Sequence, residues 1–254
     1  MTNGLDRYAK LDSPIHNWEV RCKLVGLMSL VFAFSCVRDG WLLGAIAVVA
    51  AILYGLSELP RSFWLSRLRY PGYFLGFVVL ILPFTTGETQ LLDLGVLALR
   101  QEGILAAASI VVRFLAILTV TLVLFATHPI VETLAGMRAL GLPAFLTDTM
   151  LLFYRYLSDT VAQFRTMQTA MRLRGFQRRK FNWRDIKVMA LLSGTLLVRS
   201  YEQSEQIYRA MRLRGYGQQS GHKRLPPSHN GDRLALGASV LLAIAIVVTE
   251  FVLA

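Results

Sequence analysis

The sequence predicts an all-α polytopic membrane protein with about five transmembrane helices and a cytoplasmic arm of long helices. Three observations support this fold class. Apolar residues make up 54% of the 254-residue chain and charged residues 17%, at a mean hydropathy of +0.48. The apolar residues form long runs, and the formal net charge of +11 comes from basic residues gathered between those runs. Soluble domains carry about 25% charged residues. We therefore expect most of this chain to form membrane spans rather than soluble domains.

Five apolar runs are candidate spans, since a bilayer core needs about 20 apolar residues per helix and somewhat fewer when flanking residues snorkel. A tight turn at Arg38, Asp39 and Gly40 separates the first two. The alternative there is one long helix, which Gly40 and Gly44 would weaken. The five runs are Leu24–Val37, Trp41–Leu56, Tyr73–Thr85, Ile104–Phe125 and Leu234–Leu253.

The basic residues predict the orientation. Of the 27 Lys and Arg residues, 24 fall before the first span, between spans two and three, or between spans four and five. Only Arg38 and Arg100 fall on the other side, and Arg113 lies inside span four. Because positive loops stay in the cytoplasm, we expect the N-terminus inside and the C-terminus outside. The start of the chain lacks the pattern of a cleavable signal.

A sixth apolar run, Ile186–Val198, has only about 13 residues, which is too short to cross a bilayer. Lys187 stands near its start and Arg199 follows it. We expect a helix that is buried against protein or lies at the membrane surface.

The region from His128 to Arg233 is too long to be a simple connection. The expected division is 1–127 for the N-terminal segment and four spans, 128–233 for the cytoplasmic region, and 234–254 for the last span. Pro129 suits the start of a short helix that Gly141 and Pro143 close.

Two longer helices follow in this region. The first is expected to begin near Thr147 or Asp148 and to end at Gly175; its apolar residues recur at helical spacing. Asn182 with Asp185 resembles a capping box that opens the next helix, which continues to Gly215. Packing within the chain is one explanation of the apolar face, which comprises Phe153, Leu157, Val161, Phe164, Met167 and Met171.

A repeat closes both long helices. Ala170-Met-Arg-Leu-Arg-Gly175 and Ala210-Met-Arg-Leu-Arg-Gly215 are identical and lie 40 residues apart. Helix capping explains the glycine and one arginine of each hexamer. It does not explain the pairing of Arg172 with Arg174 and of Arg212 with Arg214. Two equivalent ends imply two equivalent receptors, and a pair of ABC-type ATPase subunits is the commonest such partner.

Four stretches resemble the T component of energy-coupling factor (ECF) transporters, the CbiQ/EcfT family, and most closely its cobalt-type CbiQ members. The paired Arg-Gly ends are the most specific of them. Leu173 and Leu213 stand where the family typically has Ala, and Trp18-Glu-Val20 replaces Leu-Asp-Pro. The other three stretches are Asp12–His16 with Arg21–Leu24, Thr127–Leu134 with Leu140–Pro143, and Tyr154-Arg-Tyr156.

The resemblance implies a non-catalytic transmembrane scaffold of an ATP-driven importer. Its two coupling helices would dock on two copies of an ABC-type ATPase that binds ATP and Mg²⁺, with Arg174 and Arg214 inserted into grooves there. No cofactor or metal is expected on this chain. The residues assigned to docking are Ala170, Arg172, Arg174, Gly175, Ala210, Arg212, Arg214 and Gly215.

The resemblance also implies a substrate and further partners in the bacterial cytoplasmic (inner) membrane. The N-terminal stretches Asp6–Ala9 and Leu11–Pro14 favour cobalt or nickel, and with cobalt a link to cobalamin biosynthesis. The partners would be a substrate-binding S component like CbiM and a small accessory membrane subunit like CbiN. A T component for a vitamin such as biotin is the alternative.

Absences and rival classes complete the sequence argument. No Walker A pattern occurs, and the four histidines have no ligand spacing with the two cysteines. A self-sufficient secondary transporter would favour broken helices and polar residues at the midplane. A nucleic-acid- or lipid-binding protein would explain the basic arm alone; the apolar helix faces and the repeat favour protein docking, and we expect no nucleic acid.

Two intramembrane features remain open. Arg113 is either functional, as a charge within a span usually is, or it snorkels to the outer interface because span four begins late. Gly72 and Gly76 form a small-xxx-small pair that could seat a partner helix.

Overall fold

The computed structural model describes residues 13, 15–16, 18–37, 39–85, 90–93, 98–176, 183–216 and 230–253. The N-terminal stretch Asp6–Ala9, the capping residue Asn182 and the histidines His222 and His229 lie outside the described residues. The elements in chain order are α1 Val20–Cys36, α2 Gly40–Leu56, α3 Arg61–Thr85, β1 Gln90–Asp93, β2 Ala98–Arg100, α4 Gln101–Ala126, α5 Ile130–Ala139, α6 Ala144–Leu173, α7 Trp183–Leu213 and α8 Asn230–Leu253.

The predicted all-α membrane fold is confirmed. The helices α3, α4 and α8 are long and apolar enough to cross a bilayer, and α2 is a shorter apolar helix. The helix α1 contains the first predicted span up to Cys36, behind Arg21 and Lys23 at its start, and Val37 follows the helix in an extended conformation. A short antiparallel pairing of β1 with β2, which the sequence analysis did not predict, connects α3 to α4.

The chain divides into two compact units. One consists of Met1–Gly141 with Pro226–Ala254, and the other of Leu142–Leu225. The short helix α5 therefore belongs with the membrane helices, and the second unit contains only α6 and α7 among its described elements. We call the first the membrane unit and the second the arm.

The core of the membrane unit centres on α1, which packs against α8 and α4. The side chains of Leu27, Phe34 and Val120 are completely buried. Gly26 permits the close approach of α1 and α8, because a Cβ there would lie 2.4 Å from the Ser239 hydroxyl oxygen. A bulkier residue at position 26 would push these helices apart.

The first two spans are separate helices, since the backbone is extended at Val37 and Asp39. Leu27 and Leu30 of α1 line the same apolar cleft as Leu53 and Val49 of α2. The two helices therefore line one cleft from opposite sides of the turn in the chain.

Two predicted helix boundaries were wrong. The third span was expected to begin at Tyr73, but α3 starts at Arg61 and continues through Pro71 and Gly72, residues that ordinarily interrupt a helix. The first long helix of the arm was expected to begin near Thr147 or Asp148, but α6 begins at Ala144 behind Pro143. The hydroxyl of Thr147 donates instead to the carbonyl of Pro143, one turn back.

The two helices of the arm are antiparallel. The hydroxyl of Tyr216, just beyond α7, donates to Asp148 near the start of α6 over 2.8 Å, and Gln163 forms a longer 3.5 Å bond to Gln203. Asp148 near the start of α6 thus pairs with the end of α7, and Gln163 further along α6 pairs with Gln203 further back on α7.

Much of the apolar surface of the arm is exposed within this chain. Along the run from Ile186 to Val198, Leu192 is buried but Leu191 and Leu197 are exposed. On α6, Phe153, Leu157 and Val161 are exposed as well. Packing within the chain therefore covers these faces only in part, since Phe164, Met167 and Met171 of the same α6 face are half-buried.

Candidate functional site

Both long helices of the arm end in the same capping structure. The N–H of Phe176 donates to the carbonyl of Met171 over 3.1 Å, and the N–H of Gly175 donates to that of Arg172 over 3.0 Å. This is the pair of bonds that defines a Schellman motif. Gly175 has φ +85°, a left-handed conformation that an L residue adopts only with strain.

The second hexamer repeats this geometry. The N–H groups of Tyr216 and Gly215 donate to the carbonyls of Met211 and Arg212, each over 3.0 Å. Gly215 has φ +76°. The identical sequences therefore form identical structures, which is the local half of the sequence prediction.

The predicted docking residues lie on the surface of these two ends. Ala170, Arg172, Arg174 and Gly175 are exposed at the first end. At the second end Ala210, Arg212 and Arg214 are exposed and Gly215 is half-buried. Each end therefore carries two exposed arginines. Guanidinium groups pair well with carboxylates, because their planar fork donates two parallel hydrogen bonds.

The two ends are far apart. Tyr216 holds the end of α7 against Asp148, whereas Leu173 lies at the other end of α6. A helix rises about 1.5 Å per residue, which places Gly175 and Gly215 about 40 Å apart. Because α6 and α7 are antiparallel, their C-terminal ends point in opposite directions. The arrangement suits two separate receptors rather than one receptor that takes both ends.

The sequence analysis missed one feature of the two ends. Leu173 and Leu213, the last helical residues, are 85% and 89% exposed. They had been noted only as departures from a family pattern. Their position between two arginines in a duplicated hexamer was the available signal for a role in docking.

A buried polar junction in the membrane unit was also missed. The Lys23 side chain is 1% exposed, and its amino group donates to the carbonyl of Ile15 over 3.1 Å and to the hydroxyl of Thr127. Trp18 donates its indole N–H to the carbonyl of Asp232. The junction ties the segment before α1 to the end of α4 and the start of α8. In the sequence, Lys23 had served only as one of the basic residues that predict the orientation of the spans.

His128 is the titratable group of this junction outside the spans. Its Nε2 lies 3.2 Å from the Trp18 carbonyl oxygen, and its Nδ1 lies 3.3 Å from a Glu132 carboxylate oxygen. Burial, followed by the charge of Lys23, lowers the pKa of His128 below its usual range, although both oxygens favour the charged ring. The neutral ring has a single N–H, so it donates to only one of these oxygens.

No metal centre is visible within the described part of the chain, where no group of three or more His, Cys, Asp or Glu side chains could hold an ion. A cleft of the membrane unit, about 540 Å³, is lined mostly by apolar residues of α1, α2 and α8. Its oxygen-bearing side chains are Asp232 and Ser239.

Arg113 lies in the middle of α4. The helix begins at Gln101, so Arg113 is about 18 Å along it. Its Nε is buried without a hydrogen-bond partner among the described residues.

On α3, a Cβ on Gly76 would meet nothing within 4 Å, so the predicted seat for a partner helix is empty within the described chain.

The fold and the duplicated ends define a class of protein: an integral membrane protein whose arm carries two copies of one capped, exposed helix end. The sequence model described as CbiQ, cobalt transport protein, matches residues 12–225. The chain is also similar to proteins named energy-coupling factor transporter transmembrane protein EcfT. That of Listeria innocua is 30% identical over 87% of each chain. Those of Bacillus selenitireducens and Lactococcus lactis are 24% and 26% identical over 97% and 84% of each chain.

The chain belongs to the CbiQ/EcfT family of ECF transporter T components. It is therefore the transmembrane energy-coupling subunit of such a transporter, and the predicted resemblance is confirmed. Family membership excludes the two rival classes, a secondary transporter and a nucleic-acid- or lipid-binding protein.

Proposed function

We propose that this chain couples ATP hydrolysis to import by docking one ABC-type ATPase subunit at each end of the arm. The observation that carries the proposal is the pair of identical, exposed helix ends about 40 Å apart. Arg174 and Arg214 follow the last helical residues and lead into the positive-φ glycines. Each guanidinium would pair with carboxylates in a groove of one subunit. ATP and Mg²⁺ would bind to those subunits.

The proposal includes an orientation. The two hexamers and most of the other basic residues fall on the side that the positive-inside bias assigns to the cytoplasm, where ATP is available. The N-terminus and the arm would lie in the cytoplasm of a bacterium and the C-terminus outside. Fluorescent-protein fusions to either terminus test this: an N-terminal fusion that fails to fluoresce, beside a fluorescent C-terminal one, would reverse it.

The proposed cargo is cobalt or nickel ions. The description of the matching family model and the N-terminal resemblance support a metal over a vitamin. The mostly apolar cleft supports a site for the ion on another chain, since Asp232 and Ser239 are its only described side chains with oxygen ligands and make too few for a complete ligand set. The partners would be a substrate-binding membrane subunit like CbiM and a small accessory subunit like CbiN. Uptake of labelled cobalt, nickel and biotin by cells expressing the complete set of subunits distinguishes the cargoes.

The docking test uses charge reversal at both ends. The tagged chain is co-expressed with the other subunits of its transporter, extracted in detergent, and examined for the ATPase that remains bound. Arg174→Glu with Arg214→Glu should abolish ATPase retention and ATP-driven uptake, while the protein stays in the membrane.

A matched control makes the same change of charge elsewhere. Arg165→Glu with Arg199→Glu reverses one exposed arginine on each helix, away from the ends. This control should retain the ATPase. Normal uptake by the Arg174 and Arg214 double variant would refute the docking assignment, and equal loss in both variants would attribute docking to the net charge of the arm.

A further inference from the structure

The two leucines beside the docking arginines have no role in the helix caps. In a Schellman motif the apolar contact joins the residue two after the helix cap to the third residue from the helix end. Here those positions are Phe176 with Met171 and Tyr216 with Met211. The cap geometry therefore leaves the side chains of Leu173 and Leu213 unused, and they are 85% and 89% exposed.

The surroundings of each leucine are charged. Successive helical residues are about 100° apart around the axis, so Leu173 lies between Arg172 and Arg174. Leu213 lies in the same way between Arg212 and Arg214. Single exposed leucines are common on protein surfaces. The same exposed leucine between two exposed arginines, at both ends of a duplicated element, is a pattern that one partner chemistry explains.

We propose that Leu173 and Leu213 are the apolar anchors of the two docking ends. Each inserts into an apolar pocket of one ATPase subunit, and carboxylates on the rim of that pocket receive the flanking arginines. This rests on the proposed function. It deepens that function by giving the receptor a definite chemistry: a cavity wide enough for a branched four-carbon side chain, with an acidic rim.

The energetic division follows from the chemistry. Interface energy concentrates in a few buried anchors, and charges at a solvated rim contribute more to association rate and orientation than to affinity. Removing the apolar group should therefore accelerate dissociation. Burial of one leucine side chain is large enough that its loss at one end should weaken binding by about tenfold or more.

The experiment measures binding of the purified ATPase to the chain in nanodiscs, with association and dissociation rates resolved. Leu173→Gln and Leu213→Gln are made singly and together, since glutamine keeps the size and the helix propensity. Each single change should weaken binding at its own end, mainly through faster dissociation, and the double change should prevent capture of two subunits. Leu173→Met with Leu213→Met keeps an apolar side chain and should restore binding.

The matched control is Leu191→Gln with Leu197→Gln, two exposed leucines of α7 away from its end. It should leave ATPase binding unchanged. If the Leu173 and Leu213 glutamine variant binds the ATPase fully while the charge-reversal variant does not, the leucines are not anchors. The docking assignment of the arginines would still hold. Full binding by both variants would overturn docking too. If the methionine and glutamine variants lose ATPase binding to the same extent, burial of an apolar side chain is excluded as the source of the affinity.

Discussion

The hydroxyl of Tyr216 donates a 2.8 Å hydrogen bond to the carboxylate of Asp148, which joins the end of α7 to the beginning of α6. Phe176, at the corresponding position of the first end, has no hydroxyl. Two hexamers with identical sequences and identical caps therefore differ in how the arm supports them. The end at Gly215 is tied to a neighbouring helix by a bond that the end at Gly175 cannot form through its aromatic residue.

Tyr216→Phe should loosen the second end only. Loss of this hydrogen bond should cost about 1 kcal/mol and should speed amide hydrogen exchange in the last turn of α7. Mass spectrometry of the exchanged protein in detergent measures the effect. The control is Tyr201→Phe, which removes a hydroxyl from an exposed tyrosine of the same helix. Unchanged exchange at the end of α7 would show that the bond does not restrain it.

Gly175→Ala and Gly215→Ala should each destabilise the arm. An alanine in the left-handed conformation is strained by about 1 kcal/mol or more, so the last turn should fray and ATPase retention should fall. Gly194→Ala is the control, because its Cβ meets nothing within 4 Å inside α7. It should raise helix stability by about 0.5–1 kcal/mol. Thermal unfolding followed by circular dichroism separates these outcomes, and stabilisation by the first two changes would contradict the left-handed caps.

The polar junction predicts non-additive mutations. Thr127→Val removes an acceptor from the buried amino group of Lys23 and should cost about 1–3 kcal/mol. Lys23→Met with Thr127→Val replaces both partners by apolar groups and should cost less than Thr127→Val alone. The exposed Thr249→Val is the control. Unfolding midpoints in one detergent test the order, and additive losses would refute the coupling of the two side chains.

The stability of the membrane unit should fall on acidification. Because the pKa of His128 is lowered in the folded protein, the unfolded state binds the proton more tightly. The contribution of the neutral ring is complete above the ordinary pKa of about 6.5 and is lost as the pH falls through the lower folded-state value. His128→Gln should flatten this dependence. Thermal midpoints from pH 8 to pH 5 measure it, and a wild-type protein that gains stability towards pH 5 would contradict the sign.

Local chemistry explains why much of this protein was predictable. A bilayer requires long apolar helices, so runs of apolar residues in the sequence predict the candidate spans. A helix that ends in Arg-Gly closes through bonds within a few residues, so the caps at Gly175 and Gly215 could be predicted without knowledge of the rest of the fold. The start at Arg61 was missed because α3 runs through Pro71 and Gly72, which ordinarily interrupt a helix. The start at Ala144 was missed because Thr147 and Asp148 are preferred N-cap residues, whereas α6 begins directly behind Pro143.

The sequence by itself determined the membrane class, the spans, the duplicated hexamer and the family, because all of these depend on residues close together in the chain. Only the tertiary structure decided that the two hexamers lie at opposite ends of an antiparallel pair and that Tyr216 reaches Asp148. It also decided that Leu173 and Leu213 are exposed, and that Lys23 is buried against Thr127. Those relationships join residues up to 104 positions apart. They depend on how helices pack in space, which no local pattern of side chains specifies.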